Sequence, residues 1–158
     1  MSAFWRAYFG IFCVSLVLFG AILSAGAFAP SSGPVALLMK VLSGGEVIAF
    51  TPALRFSLGL MGAITIGWAV MIYGVMRVAF TLRGQGRPLW DAITAGLIAW
   101  YVIDGICSIF TGFALNIIPN TALAAMYLVP HRDGHLTRSS QHIGREKITM
   151  ERQNANTV

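Results

Sequence analysis

The chain has 158 residues, 56% of them hydrophobic and only 11% charged, with a mean hydropathy of +0.72 and a formal net charge of +5. Soluble domains carry roughly 25% charged residues. A water-soluble protein of this composition would lack the polar side chains to cover its surface, so the composition points to an integral membrane protein.

Four apolar stretches are expected to span the bilayer, at residues 5–28, 56–76, 89–110 and 112–129. Each is near the ~20 residues that cross a hydrocarbon core of ~30 Å. Lipid leaves no partner for a free backbone amide, so the spans should be helices. The alternating polarity of a membrane barrel strand is absent. The expected fold is all-α: a bundle of four transmembrane helices over residues 1–130, followed by a polar, basic tail over 131–158.

The first stretch carries Arg6, an apolar run and the small-residue end "AGAFA", which resemble a secretion signal. Its apolar run exceeds the usual ~7–15 residues, and Pro30 sits badly for a peptidase, so a retained anchor is expected. The connection Pro30–Pro52 should hold a short helix capped by Ser32, opened by Pro34 and stopped by Gly44 and Gly45. Val35, Leu38, Val41 and Leu42 would share one face and place this helix at the membrane surface or over the mouth of the bundle.

The second connection, "TLRGQGRP", is tight and basic; Arg77, Arg83 and Arg87 bracket it. Arg132, Arg138, Arg145, Lys147 and Arg152 lie in the tail. By the positive-inside rule both termini and the second connection are cytoplasmic, and the first connection is outside. The "GQG" is no nucleotide fingerprint, because no strand–turn–helix surrounds it. The basic charge reads as headgroup anchoring, not nucleic-acid binding.

The tail holds His131, His135 and His142. Gly134 weakens a helix there and no carboxylate supports a ligand set, so no metal site is expected. Its polarity predicts a largely disordered segment. No histidine lies within a span, which excludes bis-histidine haem ligation. Cys13 and Cys107 should lie about 12 and 27 Å above the inner face, too far apart in depth to bridge. Rows of small residues, Gly20 and Ser24, then Gly59, Ala63 and Gly67, then Ala92 and Gly96, permit close helix approach, within the bundle or between copies.

The most informative stretch is "WYVIDGICSIFTGFALNIIPN", Trp100–Asn120. Asp104, Ser108, Gly112, Asn116 and Asn120 recur at every fourth position. Asp104 lies about 22 Å along the third span, in its outer third, where a carboxylate costs less than at the membrane centre. If the chain reverses near Thr111 and Gly112, the row folds onto itself, and the two amides can donate to the carboxylate. Pro119 would free one carbonyl nearby, which Thr111 or Asn120 could repair. Trp68, Trp100 and Tyr101 would border the cluster. Four roles fit: a hydrogen-bonded staple, a pocket for a small ligand, lipid headgroup or quinone head, a proton-coupled transport acid, or a catalytic acid. The last lacks a nucleophile or base beside it, so no catalytic residue and no cofactor are expected.

The residues Gly62, Ala63, Gly67 and Trp68, followed by Trp100, Asp104, Ser108, Gly112, Asn116 and Asn120, resemble a pattern in small four-helix bacterial inner-membrane proteins. The layout is similar to the DoxX-like and BphX-like groups, with four helices and a long first outer loop. The resemblance covers under half of the chain. It implies the topology and a bacterial inner-membrane location, and it brings no catalytic or binding residues. The expected function is a non-enzymatic accessory or structural membrane protein, within a larger complex or as a homo-oligomer through its small-residue faces. The alternative is an oligomeric carrier for a small ligand, lipid, quinone or proton built on Asp104. Membrane lipids are the expected surroundings.

Overall fold

A computed structural model describes residues 3–129, all of whose regular structure is helical. The polar tail and its three histidines lie outside the described residues. The chain divides into two compact units, Met1–Ala124 and Ala125–Val158. The first contains α1 (Ala3–Ala25), α2 (Gly33–Leu42), α3 (Pro52–Thr81), α4 (Arg87–Phe110) and the opening turns of α5 (117–129). In the second, residues 125–129 are helical. Three helices, Phe4–Ala25, Pro52–Thr81 and Arg87–Phe110, are long and apolar enough to cross a membrane. The apolar helix Ala114–Val129, which includes a 3-10 turn at Ala114–Asn116, is shorter.

α3 is longer than its apolar stretch, at 30 residues against an expected span of 56–76. Its start lies at Thr51-Pro52. The Thr51 side chain accepts the Leu54 amide at 3.2 Å, and Pro52 takes the first helical position, where its missing N–H is no loss. Arg55 in the first turn reaches back 3.2 Å to the Gly26 carbonyl beyond the end of α1, and its guanidinium lies 5.1 Å from the centre of the Phe50 ring. A cation there satisfies a carbonyl that the helix leaves without a donor.

α1 and α3 form the most extensive helix pair. They run antiparallel: Phe9 near the start of α1 meets Phe80 near the end of α3, and both meet Trp90 at the start of α4. The close approach is at Gly62, where a Cβ would collide with the Ser24 hydroxyl and the Gly20 backbone. Gly20 is also tight, though less so, against Ile66 and the Gly62 carbonyl. The expected row Gly59, Ala63 and Gly67 is therefore displaced. Gly59 faces Ala27, but Ala63 is exposed and Gly67 has open space. Backbone contact with Gly20 and Ser24 sets the rotation of α3, and it selects Gly62. Gly96 on α4 also has open space within the chain.

α2 packs at the opposite end of this pair. Val35 is fully buried with Leu23 and Leu58, and Leu38, Met39, Phe50 and Leu54 pack around them. Val41, expected on the same face, is 58% exposed, because Met39 takes the inward position. Ser32 stands at the N-cap, yet its hydroxyl donates to the Ala29 carbonyl at 3.0 Å. Its backbone is already helical, continuing the turn Ala29–Ser31, and a capping side chain needs an extended one. Gly44 and Gly45 end α2 as expected, with their amides bonded to the Val41 and Lys40 carbonyls. Cys13 is buried in α1, Cys107 is exposed on α4, and both are free thiols.

Gly62→Ala is expected to destabilise the fold by about 1–3 kcal/mol, the usual cost of overpacking. Gly67→Ala should cause no loss, since nothing lies within 4 Å of the added methyl. Unfolding of both variants in a membrane mimetic checks the contrast.

Candidate functional site: the Asp104 hairpin

The polar row is brought together by the end of α4. Helical backbone continues to Phe110, and Thr111 caps it. Gly112 then takes φ +82°, a left-handed conformation that a side chain disfavours. Its amide donates to the Ile109 carbonyl at 3.3 Å, and the Phe113 amide to the Ser108 carbonyl at 2.8 Å. This paired closure satisfies two of the carbonyls that a helix end leaves open. A 3-10 turn, Ala114–Asn116, then leads into α5. Gly112 is thus the hinge of the row, while the four residues around it carry its polar groups.

Asn116 Nδ2 donates to Asp104 Oδ2 at 2.9 Å and to Ser108 Oγ at 3.0 Å. Asn120 Nδ2 donates to the same Asp104 oxygen. Both hydrogens of the Asn116 amide are therefore engaged. Ser108 and Asn120 are buried, and Asp104 and Asn116 are half-buried. Among the described residues no buried side-chain nitrogen or oxygen lacks a partner. An amide bond to a carboxylate oxygen is stronger than one between neutral groups.

Tyr101, one turn before Asp104, shares a 2.8 Å hydrogen bond with Thr121. This second tie between α4 and α5 lies on the same hairpin. Thr121 was not among the expected site residues; its one signal is its place directly after Asn120. Trp100 is half-buried on α4, and Trp68 is 38% exposed on α3. Neither makes a hydrogen bond to the cluster. Thr111 does not serve Pro119, because its hydroxyl donates to the Cys107 carbonyl at 2.8 Å. Pro119 needs no repair from Asn120 either: it falls in the first turn of α5, where an amide has no helical partner.

A groove of about 210 Å³ lies beside the hairpin, lined by Tyr101, Gly105, Ile106, Ile109, Ile117 and Asn120. It is almost wholly apolar apart from the tyrosine and the amide. Among the described residues no group of three or more histidine, cysteine or acidic side chains is placed to hold a metal. What the cluster can do chemically is hold two helices in register and present an amide and a phenol to the groove. No family model, curated protein or solved structure matches the chain.

Gly112→Ala should destabilise the protein by about 1–2 kcal/mol, the cost of a left-handed residue with a side chain. Gly105→Ala, with open space around it, should not. Asn116→Ala removes two donors and should cost more than Tyr101→Phe, which removes one exposed bond. Thermal or denaturant unfolding in bicelles checks this order.

Proposed function

We propose that this protein is a non-enzymatic accessory or structural protein of a bacterial cytoplasmic membrane, with four crossings and both termini in the cytoplasm. The carrying observation is that Asp104, the one ionisable residue clearly inside an expected span, is held by two asparagine amides of its own hairpin. A carboxylate held this way acts as a staple. Membrane hydrogen bonds of this kind contribute about 0.6 kcal/mol on average and up to about 1.7.

The arrangement of the helices supports the membrane reading. The aromatic end, where α1 starts and α3 ends, carries Arg6, Arg77 and Arg87 and suits the cytoplasmic side. The Asp104 hairpin closes at the end of α4 away from it. The fourth crossing would be Ala114–Val129, about 24 Å long, which a slightly thinned bilayer accommodates. α2 suits an interfacial position. Val35 faces the bundle, while Leu37 and Val41 are 65% and 58% exposed and would meet lipid. α4 supports an accessory role: Ile98, Ile103, Ile106 and Ile109 are all at least half exposed, beside the open Gly96. Such a face suits lipid, a partner helix or a second copy.

One observation favours a second reading. Both amides converge on Oδ2, and Asp104 Oδ1 takes no hydrogen bond from a described residue. With the adjoining groove, this would suit a carrier for a small ligand, lipid or quinone, or a proton-coupled one. Asp104→Asn separates the two. On the accessory reading the variant keeps the assembly of the native protein, seen by native mass spectrometry after gentle extraction, and loses little stability. Intact assembly with abolished pH-dependent ligand binding would establish the carrier instead.

A further inference from the structure

At the end of the molecule away from the Asp104 hairpin, α1 and α3 enclose a groove of about 220 Å³. Arg6 on α1 and Arg77 on α3 both line it, with Phe9, Met76, Phe80 and Tyr73. Each guanidinium is held against an aromatic ring of the groove. Arg6 lies 5.9 Å from the centre of the Phe80 ring, and Arg77 lies 5.9 Å from that of Tyr73. Contacts of this kind orient an arginine without consuming its charge. Among the described residues neither guanidinium pairs with a carboxylate, and the ion pair present is Arg87–Asp91, at 3.8 Å on the exposed start of α4.

Two guanidiniums on the walls of one cleft, with no acidic partner among the described residues, make a receptor for an anion. Arginine forks match the oxygens of phosphate, with two parallel hydrogen bonds each. Tyr73 Oη makes no hydrogen bond to a described residue and adds a donor, whereas the Thr81 hydroxyl already donates to the Val78 carbonyl at 2.7 Å. Phe9, Met76 and Phe80 give the rest of the lining an apolar character, which a bare inorganic anion does not need. Gly10, also on the lining, leaves open space where a side chain would stand.

We propose that this groove is a binding site for a phosphate ester, with Arg6 and Arg77 gripping the phosphate and the aromatic wall receiving the apolar part. The source that suits a groove at the end of apolar helices is the headgroup of an anionic phospholipid; that source rests on the membrane reading above, and the phosphate chemistry does not.

The test uses the full-length chain in phosphatidylcholine nanodiscs doped with phosphatidylglycerol, with bound lipid counted by native mass spectrometry. The native protein should retain about one phosphatidylglycerol per chain. Retention should fall about tenfold in R6Q/R77Q, as expected from the loss of charge-assisted bonds, and stay unchanged in R87Q. R6K/R77K, which keeps the charges and loses the forks, should be intermediate and guards against a glutamine pair that fails to fold. Displacement by inorganic phosphate would make a soluble phosphate the source; failure of phosphate to displace the lipid supports the headgroup. Equal retention by the native protein and both double variants would overturn the site, as would an equal loss in R87Q. Carbonate extraction of cell membranes tests the membrane reading separately. If the protein is released, phosphorus NMR titration of inorganic phosphate with the native and R6Q/R77Q proteins still decides the phosphate site.

Discussion

A carboxylate among apolar helices is tolerated only where donors meet it, and this constraint organises the second half of the chain. Asp104 lies six residues before the end of α4, between Ile103 and Gly105. Its donors come from beyond the turn. The chain must therefore reverse at a fixed residue, and α5 must return in one register. Gly112 supplies the reversal, and Asn116 and Asn120, one turn apart, supply the amides. A shift of one residue in the turn would carry both amides away from Oδ2 and leave a charge without partners, at a cost far above that of any one bond.

The first half of the chain is built on a different physics. α1 and α3 touch backbone to backbone at Gly20 and Gly62, where dispersion and not polarity holds them. Around that contact, Leu23, Val35 and Leu58 close one end, and Phe9, Phe80 and Trp90 close the other. α4 meets this pair at Trp90, against Phe9 and Phe80, and leaves much of its length exposed. The result is a tightly packed helix pair and a hairpin with a broad apolar face, which in lipid is a surface for tails or for another helix. The two polar features lie at opposite ends: a carboxylate tied down by amides, and a pair of arginines with no acid beside them among the described residues.

Much of this was legible in the sequence, because it is periodic. A row at every fourth position defines one helix face, and glycine in its centre marks the place to fold it. The composition of the long apolar stretches called for helices. What the sequence left open was rotation and end geometry. Gly62 and Ala63 are neighbours in the chain, and only the rotation of α3 about its axis decides which one meets α1. The same rotation leaves Trp68 partly exposed, with no hydrogen bond to Asp104. Thr51-Pro52 was a readable helix start, but Arg55 interrupts the apolar run between it and Phe56, so the apolar stretch placed the beginning of α3 too late. The last apolar stretch, expected from residue 112, becomes α-helical only at 117, because the turn that reverses the chain needs the residues between.

The central claim is that Asp104 and the asparagines of α5 act as one unit. A double-mutant cycle of Asp104→Ala and Asn120→Ala, read by unfolding free energy in bicelles, measures it most directly. The account predicts a coupling of about 0.6–1.7 kcal/mol. Effects of the two substitutions that add within about 0.3–0.5 kcal/mol would contradict it, and the regular row would then be no more than a polar stripe.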